Sequence, residues 1–181
     1  MRQTILARRY AKALFAVGKE EGTFVEYAQT LNDLAALYSE QPEVADGLTN
    51  LMYPLDVRAK VMSELIKALG ADKIMTRFLN LLVEKRRTDI LPELAAEYQA
   101  IVDKDQNICR SRIISAMELS AALQAKVQAT LENITGKKVI LATEVDPSII
   151  GGIVAKVGDL VLDGSIKTQL AGLNESIKGS E

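Results

Sequence analysis

The chain has 181 residues, with 22 basic and 24 acidic side chains, no His, no Trp and one Cys. Without His there is no Ser-His-Asp or Cys-His catalytic unit, and one Cys makes neither a zinc cluster nor an internal disulfide. A net charge of −2 speaks against a dedicated nucleic-acid binder, whose affinity rests on cations meeting phosphates, although residues 1–19 hold Arg2, Arg8, Arg9, Lys12 and Lys19 without one acid.

The N-terminus lacks the continuous apolar core of a signal peptide, because charge follows Ile5 and Leu6 at once. Pro147 to Ala155, nine positions, is as long as any stretch without a charged side chain, far short of the roughly 20 apolar residues that span a bilayer. The expected setting is the bacterial cytoplasm.

Residues 1–105 read as six helices. The first, about 3–18, aligns Leu6, Tyr10, Ala13, Leu14 and Val17 at helical spacing. Gly22 separates it from a second helix with Phe24, Tyr27, Leu31, Leu34, Ala35 and Tyr38. Pro42 opens a short third helix, since proline is tolerated in a first turn. A fourth follows Pro54, with Val57, Val61, Leu65 and Leu69 in line and Gly70 as C-cap. The fifth, about 72–86, has Ile74, Phe78, Leu81 and Leu82 on one side, widened by Met75, Leu79 and Val83. The sixth carries Leu94, Tyr98, Ile101 and Val102 after Pro92. Short connections favour an antiparallel bundle.

From residue 108 the pattern turns Ile/Val-rich and alternating, and none of the eight aromatic residues lies beyond Tyr98. Ile108 to Ala116 reads as a strand, with Arg110 and Arg112 on one face. Ser120 caps a helix with Leu123, Val127, Leu131 and Ile134, and Gly136 stops it. Val139 to Val145 alternates as a second strand. A hairpin turns at Gly158-Asp159, and Asp163-Gly164-Ser165 leads into a last helix with Ile166, Leu170, Leu173 and Ile177. The expectation is an α+β protein of two domains, residues 1–105 and 106–181. The first is a six-helix antiparallel bundle and the second a small α/β domain with a mixed sheet and two helices.

Little in the sequence promises catalysis. Gly136-Lys137-Lys138 lacks the upstream Gly and following Ser/Thr of a P-loop. Asp159 and Asp163, around the hairpin, could share acid–base work or bind Mg²⁺, but turn chemistry is the simpler reading. Arg8, Arg9 and Lys12 could face RNA, anionic lipid or an acidic protein, and Lys85-Arg86-Arg87 suits the C-terminal dipole of the fifth helix. Cys109 reads as a small buried hydrophobe. The first and fifth helices bear more apolar surface than one contact uses, so a groove for a partner's amphipathic helix is expected there.

Three segments carry a family likeness. They are Ala7-Arg8-Arg9-Tyr10-Ala11-Lys12-Ala13-Leu14-Phe15, then Phe78 to Arg87 followed by Leu91-Pro92, then Gly151-Gly152-Ile153-Val154 through Gly158-Asp159-Leu160-Val161-Leu162-Asp163-Gly164-Ser165-Ile166. In order, spacing and length the chain resembles the F-type ATP synthase delta subunits, a family related to the mitochondrial oligomycin-sensitivity-conferring protein. The family often has Asn and a small residue where Lys85 and Arg86 stand.

The resemblance implies a non-catalytic stator adaptor without cofactor, present once per complex. It would reach the cytoplasmic side of the bacterial membrane only through that complex, with no nucleic-acid partner. It implies that the N-terminal domain receives the N-terminal helix of an alpha subunit in a groove between helices one and five, with Tyr10, Ala13, Leu14, Phe78, Leu79 and Leu82 as candidate residues. It implies that the C-terminal domain binds a b-type peripheral stalk, with Gly151, Gly152, Asp159, Asp163 and Gly164 matching its signature. The competing expectations are a carboxylate-dependent small enzyme and an RNA-binding helical module.

Overall fold

The computed structural model of the chain describes residues 2–149, 151–158, 160–166, 168 and 170. Among the described residues are seven α-helices with both ends defined, the start of one more, and one four-stranded mixed sheet, an α+β architecture, in two compact units, residues 1–102 and 103–181. No described helix is long and apolar enough to cross a membrane.

The helices run α1 (Arg2–Glu21), α2 (Phe24–Glu40), α3 (Pro42–Thr49), α4 (Leu55–Leu69), α5 (Lys73–Glu84) and α6 (Leu91–Asp105). Their ends follow from local chemistry. Gly70 ends α4 in the left-handed region, where its missing Cβ removes the penalty. The Asp72 carboxylate accepts from the Met75 backbone N–H at 2.7 Å and so caps α5. Its other oxygen accepts from the Tyr27 hydroxyl at 2.7 Å, which ties α2 to the start of α5.

The buried stripes differ from the expected ones on two helices. On α4 the buried residues are Arg58, Met62 and Ile66, whereas Val57 is exposed and Val61 and Leu65 are half-buried. The core-facing line is therefore one residue on from the expected one, a turn of about 100° around the axis. On α5 the buried line is Met75, Leu79, Leu82 and Val83, and Leu81 faces outward. Both helices are apolar on two adjacent flanks, and packing chooses between them. Tyr98 of α6 is fully buried and its hydroxyl donates to the Phe24 carbonyl at 3.0 Å, so this large ring leaves no polar atom unpaired.

The second unit holds β1 (Ile108–Ser115), α7 (Ala121–Thr135), β2 (Lys138–Val145), β3 (Ile153–Val157) and β4 (Leu160–Asp163). The strand order is β2-β1-β3-β4. β1 and β2 are parallel, in register Cys109 with Val139, while β1–β3 and β3–β4 are antiparallel. The parallel pair requires a crossover, and α7 is that crossover, capped by Ser120 and stopped by Gly136. The core is Ile113, Leu131, Val139, Ala155 and Val157, with Cys109 partly buried against it.

Leu123 and Ile134, at the two ends of the apolar stripe on α7, are 43% and 57% exposed, while Leu131 between them is core. Residues 166, 168 and 170 are helical, so the last helix begins as expected, while its Leu173 and Ile177 lie outside the described residues.

Candidate functional site

The first site is built on α1. Leu6, Arg9, Tyr10 and Ala13 share one face at helical spacing and, with Arg87, line a cleft of about 430 Å³. Local backbone explains the presence of Arg87. After α5 ends at Glu84, Arg86 takes a positive φ of 54°, and the Arg87 N–H donates to the Leu82 carbonyl at 2.9 Å. This closes a tight C-terminal turn. Arg87 then donates through Nη1 to the Tyr10 hydroxyl at 2.7 Å, with its guanidinium 5.7 Å from the ring centroid. Phe78 meets the same ring edge-on, centroids 6.2 Å apart at 68°.

Of the six expected groove residues, the structure joins Tyr10 to Phe78 and leaves Ala13 exposed on the cleft wall. The other three are corrected. Leu14, Leu79 and Leu82 are 3%, 0% and 0% exposed and belong to the core. The inner flanks of α1 and α5 are spent on packing inside the unit, and the outer flanks are what they leave accessible.

The cleft is also less apolar than expected, since Arg9 and Arg87 line it. Arg87 lies 77 residues from Tyr10 in the chain, and its helix-end position gave no sign of that contact. The mixed charge on α1 sorts by direction. Arg8 makes a two-pronged contact with Glu97 of α6, at 2.9 and 3.0 Å, which holds the Glu97 carboxyl below its ordinary range.

On the opposite side of α1, Phe15 packs edge-on against Phe24 and Tyr98. The two aromatic residues of α1 thus serve different tasks.

In the second unit the signature residues form a clasp. Gly152 has a φ of 83°, and a Cβ there would lie 2.3 Å from the Gly164 carbonyl oxygen. Gly164 donates its N–H to the Ile153 carbonyl at 2.9 Å, and Ile166 donates to that of Gly151 at 3.0 Å. Asp163 accepts from the Ser165 N–H at 2.9 Å and from the Thr168 hydroxyl at 2.8 Å. These bonds favour the ionised carboxylate and hold its pKa below the ordinary value of 3.8.

Asp163 is therefore fixed in the turn ahead of the last helix with both oxygens engaged. The helix itself is capped by the Ser165 hydroxyl, which accepts from the Thr168 N–H at 3.3 Å. A lowered pKa is the wrong direction for a proton donor. Asp159 lies outside the described residues. No group of three or more His, Cys, Asp or Glu able to hold a metal occurs among the described residues.

Because the folded pKa is lowered, the stabilisation from Asp163 is present above the unfolded pKa and is lost as pH falls through the folded one. Asp163→Ala is expected to lower the melting temperature near neutral pH. The gap from the parent should close as pH drops below about 4. Melting curves followed by circular dichroism across that range check it, and a gap that stays constant with pH removes the charge from the account.

A second depression, of about 400 Å³, lies between α7 and the β3–β4 hairpin, lined mainly by Leu123, Val127, Ile134, Ile153, Ala155 and Leu162.

The family whose model is described as ATP synthase delta (OSCP) subunit matches residues 6–177. A protein of Desulfotalea psychrophila named ATP synthase subunit delta is 62% identical over 181 residues, covering all of both chains. One of the same name from Desulfosudis oleivorans is 42% identical over 181 residues, covering 100% of this chain and 99% of its own. Among solved structures, a chain of the Toxoplasma gondii mitochondrial ATP synthase hexamer has a TM-score of 0.71 at 24% identity, over 95% of this chain and 97% of that one. That likeness is one of fold.

Proposed function

The chain belongs to the ATP synthase delta (OSCP) subunit family, and from that premise we propose how its two units divide the work. It is a stator component of F-type ATP synthase and a structural subunit, not a catalytic one.

In our reading the six helices of the first unit form an antiparallel bundle that holds the catalytic head through the N-terminal helix of an alpha subunit. The second unit holds the b-type peripheral stalk, one copy of the chain serving each complex on the cytoplasmic face of the membrane. A rotor turning inside the head does work on the catalytic sites only if the head is kept from turning with it. A two-ended adaptor suits that task, because two linked contacts hold more firmly than either alone.

The observation that carries this reading is the family match over residues 6–177, which spans both compact units. The cleft lined by the half-buried Tyr10 and Arg87, with Phe78 behind the Tyr10 ring, supports the head contact, and the exposed apolar rim of Leu123, Ile134 and Leu162 supports the stalk contact. Apolar and aromatic anchors carry most of the free energy in such interfaces.

The test is capture with separate peptides from the alpha N-terminus and the b C-terminus. The full chain is expected to bind both, and a chain ending at Asp105 only the first. Capture of the b peptide by the shortened chain would reverse the division.

Tyr10→Ala is expected to weaken the alpha peptide about tenfold or more, as for a central aromatic anchor. Alanine is a cleaner probe than aspartate, since Arg87 stands 2.7 Å from the Tyr10 hydroxyl and would pair with a carboxylate. Unchanged affinity by calorimetry removes Tyr10 from the site.

A further inference from the structure

The cations around α1 fall into two groups. Arg8 is answered within the chain by Glu97, which also feels the charge of Lys12. Arg9 and Arg87 are not. Neither is in an ion pair with a described carboxylate, and among the described residues the Arg87 side chain is held by the neutral Tyr10 hydroxyl and ring. Both line one depression whose remaining walls are Leu6, Tyr10 and Ala13, with Phe78 backing the Tyr10 ring.

A guanidinium held in place presents its other N–H groups in a planar fork, a geometry that matches a carboxylate. Here the hydroxyl of Tyr10 fixes the orientation of Arg87 without neutralising it.

We propose that this cleft reads charge as well as shape: its occupant is an amphipathic helix with an acidic side chain that Arg9 and Arg87 bind while its apolar face covers Leu6, Ala13 and the Tyr10 ring. This rests on the reading that the cleft receives the alpha N-terminal helix and adds the chemistry by which that helix is chosen. The site is a recess with an apolar wall and two cations. A flat anionic lipid surface would meet instead the cations spread along α1, one of which is already neutralised by Glu97. Unlike charge across an interface sets register and rejects wrong partners, so the two arginines would fix which turn of the helix sits over Tyr10.

The test uses the full-length chain and calorimetry. The probes are the native alpha N-terminal peptide, the same peptide with every Asp and Glu replaced by Asn and Gln, and phosphatidylglycerol vesicles. The variants are Arg9→Gln, Arg87→Gln and the double variant. Arg9 is exposed on α1, so Arg9→Gln alone reports even if Arg87→Gln loosens the turn after α5.

The double variant is expected to bind the native peptide about five- to tenfold more weakly and to lose the salt dependence of the parent. The neutralised peptide should bind parent and double variant alike, since the interaction is already absent.

Equal binding of native and neutralised peptides by the parent overturns the proposal and leaves the cleft reading standing. A native peptide with no acidic residue does the same. Loss of vesicle binding in the double variant with peptide affinity intact assigns the arginines to a membrane and also overturns it. Failure of the parent to bind either peptide removes the cleft reading itself.

Discussion

Leu79→Ala is expected to lower the unfolding free energy of the helical unit by about 2–5 kcal/mol, the range for a leucine truncated inside a core that cannot fully collapse. Leu79 is 0% exposed and lies on α5 in one buried line with Met75, Leu82 and Val83. Removing its outer carbons leaves a void walled by side chains that already fill their own space. Urea unfolding followed by tyrosine fluorescence measures it, because all five tyrosines lie between Tyr10 and Tyr98 and report that unit alone.

The result also decides what Leu79 does. A loss below about 1 kcal/mol, typical of surface positions, together with weaker binding of the alpha peptide, would return it to a partner's groove. A large loss of stability with near-native affinity at low temperature keeps it in the core.

Gly152→Ala is the second large effect, and it acts on the other unit. The alanine Cβ would lie 2.3 Å from the Gly164 carbonyl oxygen and 3.0 Å from Ser165 Cα, both backbone atoms that no side-chain rotation can clear. The φ of 83° adds a conformational penalty that L side chains do not escape. Backbone strain alone costs about 1–3 kcal/mol at such positions, and the clash must add to it or force the strand and the turn apart.

Gly158→Ala is the control. It has a positive φ of 58° but nothing within 4 Å of a built Cβ, so it keeps the strain and lacks the clash. Hydrogen exchange across β1–β4 should rise far more in Gly152→Ala than in Gly158→Ala. Equal exchange in the two would mean that the close approach to Gly164 adds nothing.

Punctuation was the most legible part of the fold. Pro42, Pro54, Gly70, Ser120 and Gly136 mark helix ends because each solves a local backbone problem that distant packing does not alter. Orientation was harder to read. On α4 and α5 two neighbouring flanks are both apolar, and periodicity says that each could face inward without saying which does.

The family resemblance names Leu14, Leu79 and Leu82 as groove residues, and periodicity alone does not tell that all three are buried in the core. Tyr10 and Phe78, named on the same resemblance, do meet each other edge-on. Arg87 was missed because its role depends on a turn through Arg86 and on α1, far away in the chain. In the second unit the glycines were legible as glycines, but their purpose is a contact between Gly152 and Gly164 across twelve positions, which only the folded hairpin reveals.

The place where the chain enters the sheet has a mechanical consequence. The segment after α6 leads directly into β1, which lies inside the sheet between β2 and β3. β1 is held by eight registered pairs on one side and five on the other. A pull along β1 loads these backbone bonds side by side, so many must yield together. An edge strand pulled sideways would open like a zipper, one bond after another, at far lower force. Any tension that reached the second unit along the chain from α6 would enter at a strand bonded on both sides.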